Sequence, residues 1–588
     1  MASFKQLVND YVYPRMEELC DQFYEEKENM VLDGEKAFFV GEPFLPGTLV
    51  ASFCYLLVAQ VQNTLKYDLL LARTQDIIQT HGTMPLNTFG IYEFLNGLAL
   101  LRKNGIKDEV VSQEVDKQLQ DKLHWNVFYD VDKKCLKKGL PTNYYGVAFR
   151  VAVLREYLGW EEEGMSTYFL EVLEDHIRTY SGSTLYMDET AGEGRYDKYT
   201  LTIASEICEA FLYVGKDVPP FWHTMMVHTG QIVLELADER ALGFSYGRSI
   251  GAHGTACIIE NIPVALHLGG IEKVDFAYSY CVRAARQVIA YWYSTKRGII
   301  NLWDDGRRTD HYRNKTRVLE VNLDMNLKLF RANHLLETLN LNNQEEIDDM
   351  AYTTTLETLP KFKYYSFEQK SDNRGMVIYR LKDNVFTLPI INGGKSYYKA
   401  MPYLPIPFNT ELIQGTPEAS RPMLVPKVTL EDGTHLMPIS YMQNIKVETL
   451  ENTYVVEWEQ THLCNIEDAQ SPKQYEHASS KTRYTFSKEG IECTYVITSK
   501  QPIQSAQMVF ETYEMDYEQK EKSLYLKYKY PLNFEVKGLG YKGVQTLQAG
   551  GAYDTPYGPL AHQWMWEQVC APHCYKLSIS WKMDCKDC

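Results

Sequence analysis

The sequence contains no run of about 18 or more apolar residues, so it predicts no membrane-spanning helix. It also lacks a surplus of basic residues, because 60 Lys and Arg stand against 77 Asp and Glu, a formal net charge of −17. Nucleic acids and anionic membranes bind through basic surfaces, so neither is an expected partner. The first residues contain no apolar signal core. We therefore expect a cytoplasmic protein, or a secreted one whose signal has been removed.

Several well-known catalytic motifs are missing as well. The chain has no Walker phosphate-binding loop, no dinucleotide fingerprint after a predicted strand, no His-Glu-x-x-His and no Gly-x-Ser-x-Gly. The sequence therefore gives no support to a kinase, a Rossmann oxidoreductase, a zinc protease or a classical serine hydrolase. A hydrophobic fraction of 45% and a charged fraction of 23% are typical of globular proteins. These fractions exclude a chain that is disordered throughout.

The first half of the chain has a helical period. Apolar residues recur at three- and four-residue spacing through residues 1–345, in about twelve segments that include 143–158, 198–214 and 220–237. Consecutive helical hairpins in this number predict an (α/α)6 toroid. An open helical solenoid is the alternative, although no consensus repeats at a fixed period.

The second half has a different period. From about residue 361 apolar residues alternate with polar ones in short β-branched and aromatic runs, for example 375–381, 454–458 and 482–486. Strands that follow one another without helices predict an antiparallel β-sandwich over 361–588. Residues 346–360 are expected to connect this domain to a catalytic toroid. The predicted fold class is therefore a multidomain α+β protein, a toroid followed by a sandwich.

Asn143, Tyr144 and Tyr145 stand where one helix is expected to begin. An Asn at this position commonly caps the helix, which is the plainer interpretation of Asn143. In the functional interpretation the Asn143 amide takes part in catalysis, and the two tyrosines bind substrate in a cleft.

A Gly-containing loop at 186–199 holds more ionisable groups than capping of the next helix requires. Tyr196 and Tyr199 are three residues apart and share one face of the first helical turn, so both are catalytic candidates. The substrate-binding candidates of this loop are Asp188, Glu193 and Arg195.

Tyr246, Arg248 and His253 lie within 243–254, immediately before a very apolar predicted helix. Small neighbouring residues allow a substrate to approach the backbone closely. The positive end of the helix dipole would add to Arg248 in attracting a carboxylate. A single His here would usually be structural, but the cluster favours a catalytic interpretation of all three residues.

Two further groups of residues are candidates for a functional or structural site. Trp303 and Asp304, followed by Asp305, are candidate substrate contacts or an acid/base pair, although Asp-Gly before a charge run is also typical of a turn. Near the end of the chain, four cysteines and His573 come close in sequence. One interpretation of these cysteines is a structural zinc site. The favoured interpretation is exposed free thiols or a disulfide. No other cofactor is expected. The cysteines are Cys570, Cys574, Cys585 and Cys588.

Three short motifs together resemble a bacterial and fungal family of conserved proteins of unknown function. They are Tyr-Gly-Arg-Ser at 246–249, Tyr-Asp-Lys-Tyr at 196–199, and the segment 388–405, which begins Leu-Pro and ends Tyr-Leu-Pro. The sequence departs from that family's usual pattern at Ile-Gly 250–251 and at Lys198. The order of helices and then a sandwich is similar in outline to polysaccharide lyases of the heparinase, alginate lyase and chondroitin lyase kind, and to uronyl epimerases.

The resemblance to lyases implies β-elimination across the glycoside of a uronic acid. Arg248 and Asn143 would neutralise the substrate carboxylate and so make the proton at C5 acidic. His253 or Tyr199 would remove that proton as a general base.

The same resemblance implies a general acid for the leaving oxygen. Tyr246 or Tyr196 would donate that proton. A tyrosine serves in such a step when a nearby cation lowers its pKa, and Arg248 or Arg195 would be that cation.

Two other activities suit the same architecture. A glycoside hydrolase would pair Asp188 or Glu193 with Asp304 or Asp305. An intracellular isomerase or cyclase would act on a small, largely apolar metabolite in the toroid pocket. A scaffold protein is the least favoured, because the polar loops exceed what capping needs. The ligand is expected to be a small molecule or an oligosaccharide. The sequence does not fix the oligomeric state, and a homodimer is one alternative.

Overall fold

The computed structural model describes residues 2–38, 42–137, 139–341, 348–368, 374–392, 403–415, 423–467, 473–520 and 523–585. In this part of the chain, twelve helices of ten or more residues make up the first half. They are α1 (Tyr13–Glu26), α2 (Leu45–Val58), α3 (Leu65–His81), α4 (Thr88–Lys103), α5 (Gln113–Lys122), α6 (Tyr144–Leu158), α7 (Met165–Ser181), α8 (Lys198–Val214), α9 (Pro220–Glu235), α10 (Ala252–His267), α11 (Val274–Gln287) and α12 (Val318–Thr338).

The even-numbered helices form a closed inner ring. Each packs against the next even-numbered helix, and α12 packs back against α2. Closure of the ring confirms the toroid rather than the open solenoid. Burial distinguishes the two layers, because α2 buries twelve of its fourteen residues whereas the outer helix α5 buries only Leu119.

Two glycines let neighbouring inner helices approach each other. A Cβ placed on Gly47 of α2 would lie 1.8 Å from the carbonyl oxygen of Gly90 on α4. A Cβ on Gly90 would in turn lie 2.3 Å from the carbonyl oxygen of Pro43. The backbones of α2 and α4 are thus in direct contact, which any larger residue at these positions would prevent.

Eighteen strands of three or more residues follow in the described part of the chain. They are β1 (Phe362–Glu368), β2 (Arg374–Leu381), β3 (Asn384–Ile390), β4 (Lys427–Leu430), β5 (His435–Met437), β6 (Gln443–Leu450), β7 (Thr453–Gln460), β8 (Leu463–Asn465), β9 (Lys473–Tyr475), β10 (Ala478–Ser487), β11 (Gly490–Ser499), β12 (Ile503–Thr512), β13 (Asp516–Lys520), β14 (Ser523–Lys527), β15 (Pro531–Lys537), β16 (Gly540–Thr546), β17 (His562–Val569) and β18 (Lys576–Cys585).

These strands form two large antiparallel sheets and a small one. The first has the order β9-β8-β5-β4-β12-β17-β16 and the second β6-β7-β10-β11-β18-β15-β14-β13. Their inner faces meet through aromatic rings, such as Phe510 of the first sheet and Phe534 of the second, whose centroids lie 4.5 Å apart. This arrangement is the expected antiparallel sandwich. Strands β1-β2-β3 form the third sheet.

The small sheet and its surroundings attach the sandwich to the toroid. The Tyr365 hydroxyl on β1 donates to Glu235 Oε2 of α9 at 2.6 Å. The Arg380 guanidinium on β2 donates to the carbonyl of Ala237 at 2.7 Å. In the segment 346–360, helix α13 (Asp349–Glu357) stacks its Tyr352 ring on Phe276 of α11. The two halves therefore share extensive contacts.

Because consecutive helices run antiparallel, all inner helices begin at the same end of the ring, which we call the N-terminal face. The segments that precede α8, α10 and α12 contact one another there, through Arg248 with Asp197 and Ser249 with Asp310. The sandwich side covers part of this face. None of the described helices combines the length and apolarity that a membrane span requires.

Candidate functional site

The loop before α8 is held together by a single carboxylate. Asp188 accepts hydrogen bonds from the backbone N–H groups of Thr190, Gly194 and Arg195 at 2.8, 2.9 and 3.0 Å. The side chain is 1% exposed and also accepts from the Thr190 hydroxyl. Asp188 therefore shapes its own loop, and its oxygens are occupied. The hydrolase hypothesis, which gave Asp188 a chemical role, gains no support from this geometry.

Arg248 forms a buried ion-pair network instead of facing an open cleft. Its Nε donates to Asp197 Oδ2 at 2.9 Å, and its other arm pairs with Glu189. Its guanidinium carbon lies 4.2 Å from the ring centroid of Tyr199. The charge that the sequence suggested for a substrate carboxylate is thus already balanced by two carboxylates. In this arrangement Arg248 orients the Tyr199 ring.

Four polar side chains converge on Ser249, in what we call the Ser249 cluster. The Ser249 hydroxyl oxygen lies 3.3 Å from the Tyr199 hydroxyl and 3.0 Å from the Tyr312 hydroxyl, and it accepts from Arg313 Nη2 at 3.3 Å. Asp310 Oδ2 accepts from the Ser249 backbone N–H at 3.0 Å. The cluster thus joins the start of α8 to the segments before α10 and α12.

Arg313 is a member of the cluster that sequence reasoning missed. The candidates considered in this segment were Trp303, Asp304 and Asp305, several residues before it. Arg313 Nη1 donates to Asp310 Oδ2 at 2.8 Å, and the side chain is 8% exposed. Trp303 holds this residue in place, since its indole N–H donates to the Arg313 carbonyl at 2.8 Å. The signal available in the sequence was only that Arg313 adjoins a Tyr in a polar loop.

His253 lies in the first turn of α10 and is 6% exposed. Its Nε2 is buried and has no hydrogen-bond partner among the described residues. Burial and the neighbouring charges of Arg313, Lys198 and Lys328 hold the pKa of His253 well below its ordinary value. The imidazole is therefore neutral, with a nitrogen that nothing in the described chain satisfies.

Asn143 precedes α6 but does not cap it. It has helical backbone angles and makes no side-chain capping bond, so the capping interpretation is wrong. The residue is 2% exposed, and its Oδ1 has no hydrogen-bond partner among the described residues. A buried polar atom without a protein partner can be satisfied by a ligand or by a water molecule. Beside it, the Tyr144 ring packs on Phe89 with centroids 5.5 Å apart, and Tyr145 contacts Tyr129.

Tyr196 and Tyr246 lie in the core below the N-terminal face. The Tyr196 hydroxyl is 3.0 Å from the Ser181 hydroxyl oxygen, and its ring stacks on Phe367. The Tyr246 hydroxyl donates to the carbonyl of Tyr196 at 3.1 Å. Both residues are at most 1% exposed. The structure does not bring them to the cluster with Tyr199, and we assign neither a chemical step.

Asp304, Glu193 and Arg195 are the remaining predicted substrate contacts. Asp304 pairs with Lys315 at 2.9 Å and with Arg297 at 3.4 Å. Glu193 is half-buried on the loop before α8. Arg195 is buried close to Asp197, where burial raises the pKa of the Asp197 carboxyl and the charge of Arg195 opposes that shift.

The hydroxyl of Tyr199 and the imidazole of His253 differ in their protonation. Burial raises the pKa of the Tyr199 hydroxyl, and the Arg313 charge opposes this shift. Tyr199 is therefore protonated at neutral pH and suited to donate a proton. His253 is neutral and suited to accept one.

No protein-family model and no curated protein sequence matches this chain. Among solved structures, a Streptomyces coelicolor chondroitin AC lyase in complex with chondroitin sulphate matches with a TM-score of 0.56 at 11% identity, over 98% of this chain and 80% of that one. A Paenibacillus xanthan lyase matches with a TM-score of 0.53 at 9% identity, over 100% of this chain and 57% of that one. The chain shares its fold with polysaccharide lyases. The expected resemblance in architecture is confirmed.

One cavity inside the toroid is charged and narrow. A cavity of about 40 Å³ is lined by ion pairs, including Arg150 with Glu206 at 3.0 Å and Arg331 with Glu93 at 3.0 Å. A space of this size holds about one water molecule. The lining of this cavity does not fit a largely apolar metabolite.

Three of the four C-terminal cysteines are described. Cys570 and Cys574 flank the turn between β17 and β18, where burial and the adjacent Cys574 thiol raise the pKa of Cys570 to about 11. Cys585 is disulfide-bonded, and Cys588 lies outside the described residues. In the described chain, no three His, Cys, Asp or Glu side chains are arranged to hold a metal ion. The zinc site stays a prediction.

Proposed function

We propose that the protein is a carbon–oxygen lyase that cleaves a uronate-containing glycan by β-elimination at the N-terminal face of the toroid. The observation that carries this proposal is the convergence of the Tyr199 hydroxyl and the Arg313 guanidinium on Ser249, within 3.3 Å. A proton donor and a cation are the two groups that elimination next to a carboxylate needs in one place. The lyase fold supports the proposal at the level of architecture.

Arg313 and Asn143 would neutralise the substrate carboxylate. Arg313, which is paired with the single carboxylate of Asp310, supplies positive charge. The amide nitrogen of the buried Asn143 would donate a hydrogen bond to the substrate carboxylate. Neutralising the carboxylate stabilises the negative charge that develops when the C5 proton leaves. Arg248, which the sequence favoured for this role, would act indirectly by holding the Tyr199 ring.

His253 would act as the base and Tyr199 as the acid. In the reaction the C5–H bond breaks and its proton moves to the His253 imidazole, while a double bond forms between C4 and C5. The C4–O bond breaks and the leaving oxygen takes the Tyr199 proton. A bound uronate would raise the pKa of His253, because its negative charge offsets the surrounding cations that now depress it.

The proposal is tested by mixing the protein with chondroitin, heparan and polyuronate chains and following ultraviolet absorbance. Elimination creates a conjugated double bond that absorbs, whereas hydrolysis does not. Tyr199→Phe is expected to lower turnover at least about 100-fold, the usual contribution of a general acid. Tyr495→Phe is the matched control, because this buried hydroxyl donates to the Leu424 carbonyl inside the sandwich.

Two results would contradict the proposal. One is the release of reducing ends without any rise in absorbance, which would indicate a hydrolase. The other is a Tyr199→Phe variant that remains as active as Tyr495→Phe, which would remove Tyr199 from the chemistry.

A further inference from the structure

The sandwich side of the molecule contributes a tyrosine to the N-terminal face of the toroid. The Tyr403 hydroxyl donates to Asp197 Oδ2 at 2.7 Å, and the residue is 1% exposed. Its ring lies against Gly247, where an added Cβ would be 2.6 Å from a Tyr403 ring carbon. Gly247 has φ +74, so neither the backbone conformation nor the space suits another residue. The contact between Tyr403 and Gly247 therefore requires a glycine at position 247.

Asp197 connects this tyrosine to the candidate site. Its Oδ2 also accepts from Arg248 Nε at 2.9 Å, and its Oδ1 accepts from the Tyr199 backbone N–H at 3.0 Å, which caps α8. Arg248 in turn lies over the Tyr199 ring. The Asp197 carboxylate therefore accepts hydrogen bonds from Tyr403 on the sandwich side, from Arg248, and from the backbone of Tyr199, the proposed proton donor.

We propose that Tyr403 is a positioning residue, through which the sandwich domain fixes Asp197 and thereby sets the orientation of Arg248 and Tyr199. This inference rests on the proposed lyase function. Tyr403 touches no reacting atom in this scheme and acts through Asp197. The sandwich would accordingly complete the active site of the toroid as well as cover it.

The charges around Asp197 give the proposal a measurable pH dependence. Groups from every side face this carboxylate or share its partner: Arg195, Lys198, Tyr246, Arg248, Tyr403 and, through Arg248, Glu189. Burial raises the pKa of Asp197 to about 6, and the Tyr403 hydrogen bond lowers it. Removing the Tyr403 hydroxyl should raise that pKa further. Asp197 would then be protonated at a higher pH and would release Arg248.

The experiment compares Tyr403→Phe with the wild type in the full chain, by measuring kcat and KM across pH on the glycan that the wild type cleaves. The acid limb of the kcat profile is expected to move to higher pH, and kcat is expected to fall about tenfold near pH 6 with little change in KM. Tyr495→Phe should leave the profile unchanged. In an Asp197→Asn background, Tyr403→Phe should produce no shift of the limb. A Tyr403→Phe profile that superposes on the wild type would overturn the proposal.

A second measurement keeps the inference separate from the proposed function. The difference in Tm between Tyr403→Phe and wild type should grow as pH rises from about 5 to about 8, because the loss falls on the charged form of Asp197. The corresponding difference for Tyr495→Phe should stay constant. A wild type inactive on every uronate refutes the lyase, whereas a constant Tm difference for Tyr403→Phe refutes its coupling to Asp197.

Discussion

Ser249 is the residue at which backbone strain and polar contacts coincide. It has φ +55, in the left-handed region that non-glycine residues rarely occupy, and it is 1% exposed. Its neighbours Gly247 and Gly251 also have positive φ, so the chain turns sharply before α10. Strain of this kind persists where surrounding contacts hold it, and it is frequent at functional sites. Here those contacts are Tyr199, Tyr312 and Arg313.

Two substitutions separate the strain at Ser249 from the role of its hydroxyl. Ser249→Gly removes both the hydroxyl and the strain, whereas Ser249→Ala removes the hydroxyl alone. We expect the Gly variant to be more stable than the Ala variant by about 1 kcal/mol, measured by urea unfolding. Both should lose turnover in the proposed lyase reaction to a similar extent, because both lose the group that joins Tyr199 to Arg313. An Ala variant with full activity would argue against a role for this hydroxyl.

At the scale of elements, the sequence predicted the helices and the toroid that they form. The expected segment 198–214 coincides with α8, and 143–158 and 220–237 differ from α6 and α9 by one or two residues at an end. These ends have local causes, such as the Asp197 cap with Thr200 at α8 and the left-handed Gly215 after it. Strands were located for the same reason, since alternation is a local property.

The order of the strands in the sheets and the contacts between the loops could not be predicted from local sequence patterns. Neighbours such as β4 and β12 are more than 70 residues apart, and their pairing depends on the packing of the whole sandwich. The polar segments before α8 and α10 were identified in sequence, but not the pairing of Arg248 with Glu189 and Asp197. That pairing depends on α8 and α10 lying next to each other in the ring. Because of this pairing, Arg248 is no longer the candidate for binding the substrate carboxylate. Arg313, which the sequence did not suggest, lies near the candidate acid Tyr199.

The contact between α2 and α4 gives a prediction at the scale of elements. Gly47→Ala would place a Cβ against the backbone of Gly90, and neither helix can yield because both belong to the closed ring. We expect a loss of about 3 kcal/mol in the free energy of unfolding, typical of severe overpacking. Gly540→Ala is the control, because its Cβ would lie at an ordinary 3.4 Å from Glu567. Equal stabilities of the two variants would show that α2 and α4 separate easily.

At the scale of the whole molecule, the larger of two core clusters extends through both halves. A single cluster of contacting buried side chains extends from Phe4 in the toroid to Cys585 in the last strand. Hydrogen bonds such as those of Tyr365 and Arg380 reinforce this boundary at the end of α9. The division into a toroid and a sandwich is therefore one of topology, whereas packing is continuous across it. A site that uses Tyr403 from one half and Asp197 from the other is consistent with that continuity.

Continuity of the core predicts cooperative unfolding. Separate domains commonly unfold in separate steps, but here unfolding of either half would expose the apolar surface of the other. Calorimetry should therefore show one thermal transition, whose calorimetric and van't Hoff enthalpies agree when unfolding is reversible. Tyr365→Phe, which removes one bond to Glu235, should lower that Tm without splitting the transition. Two resolved transitions in the wild type would mean that the sandwich folds independently, and Tyr403 could then leave the toroid while the toroid remains folded.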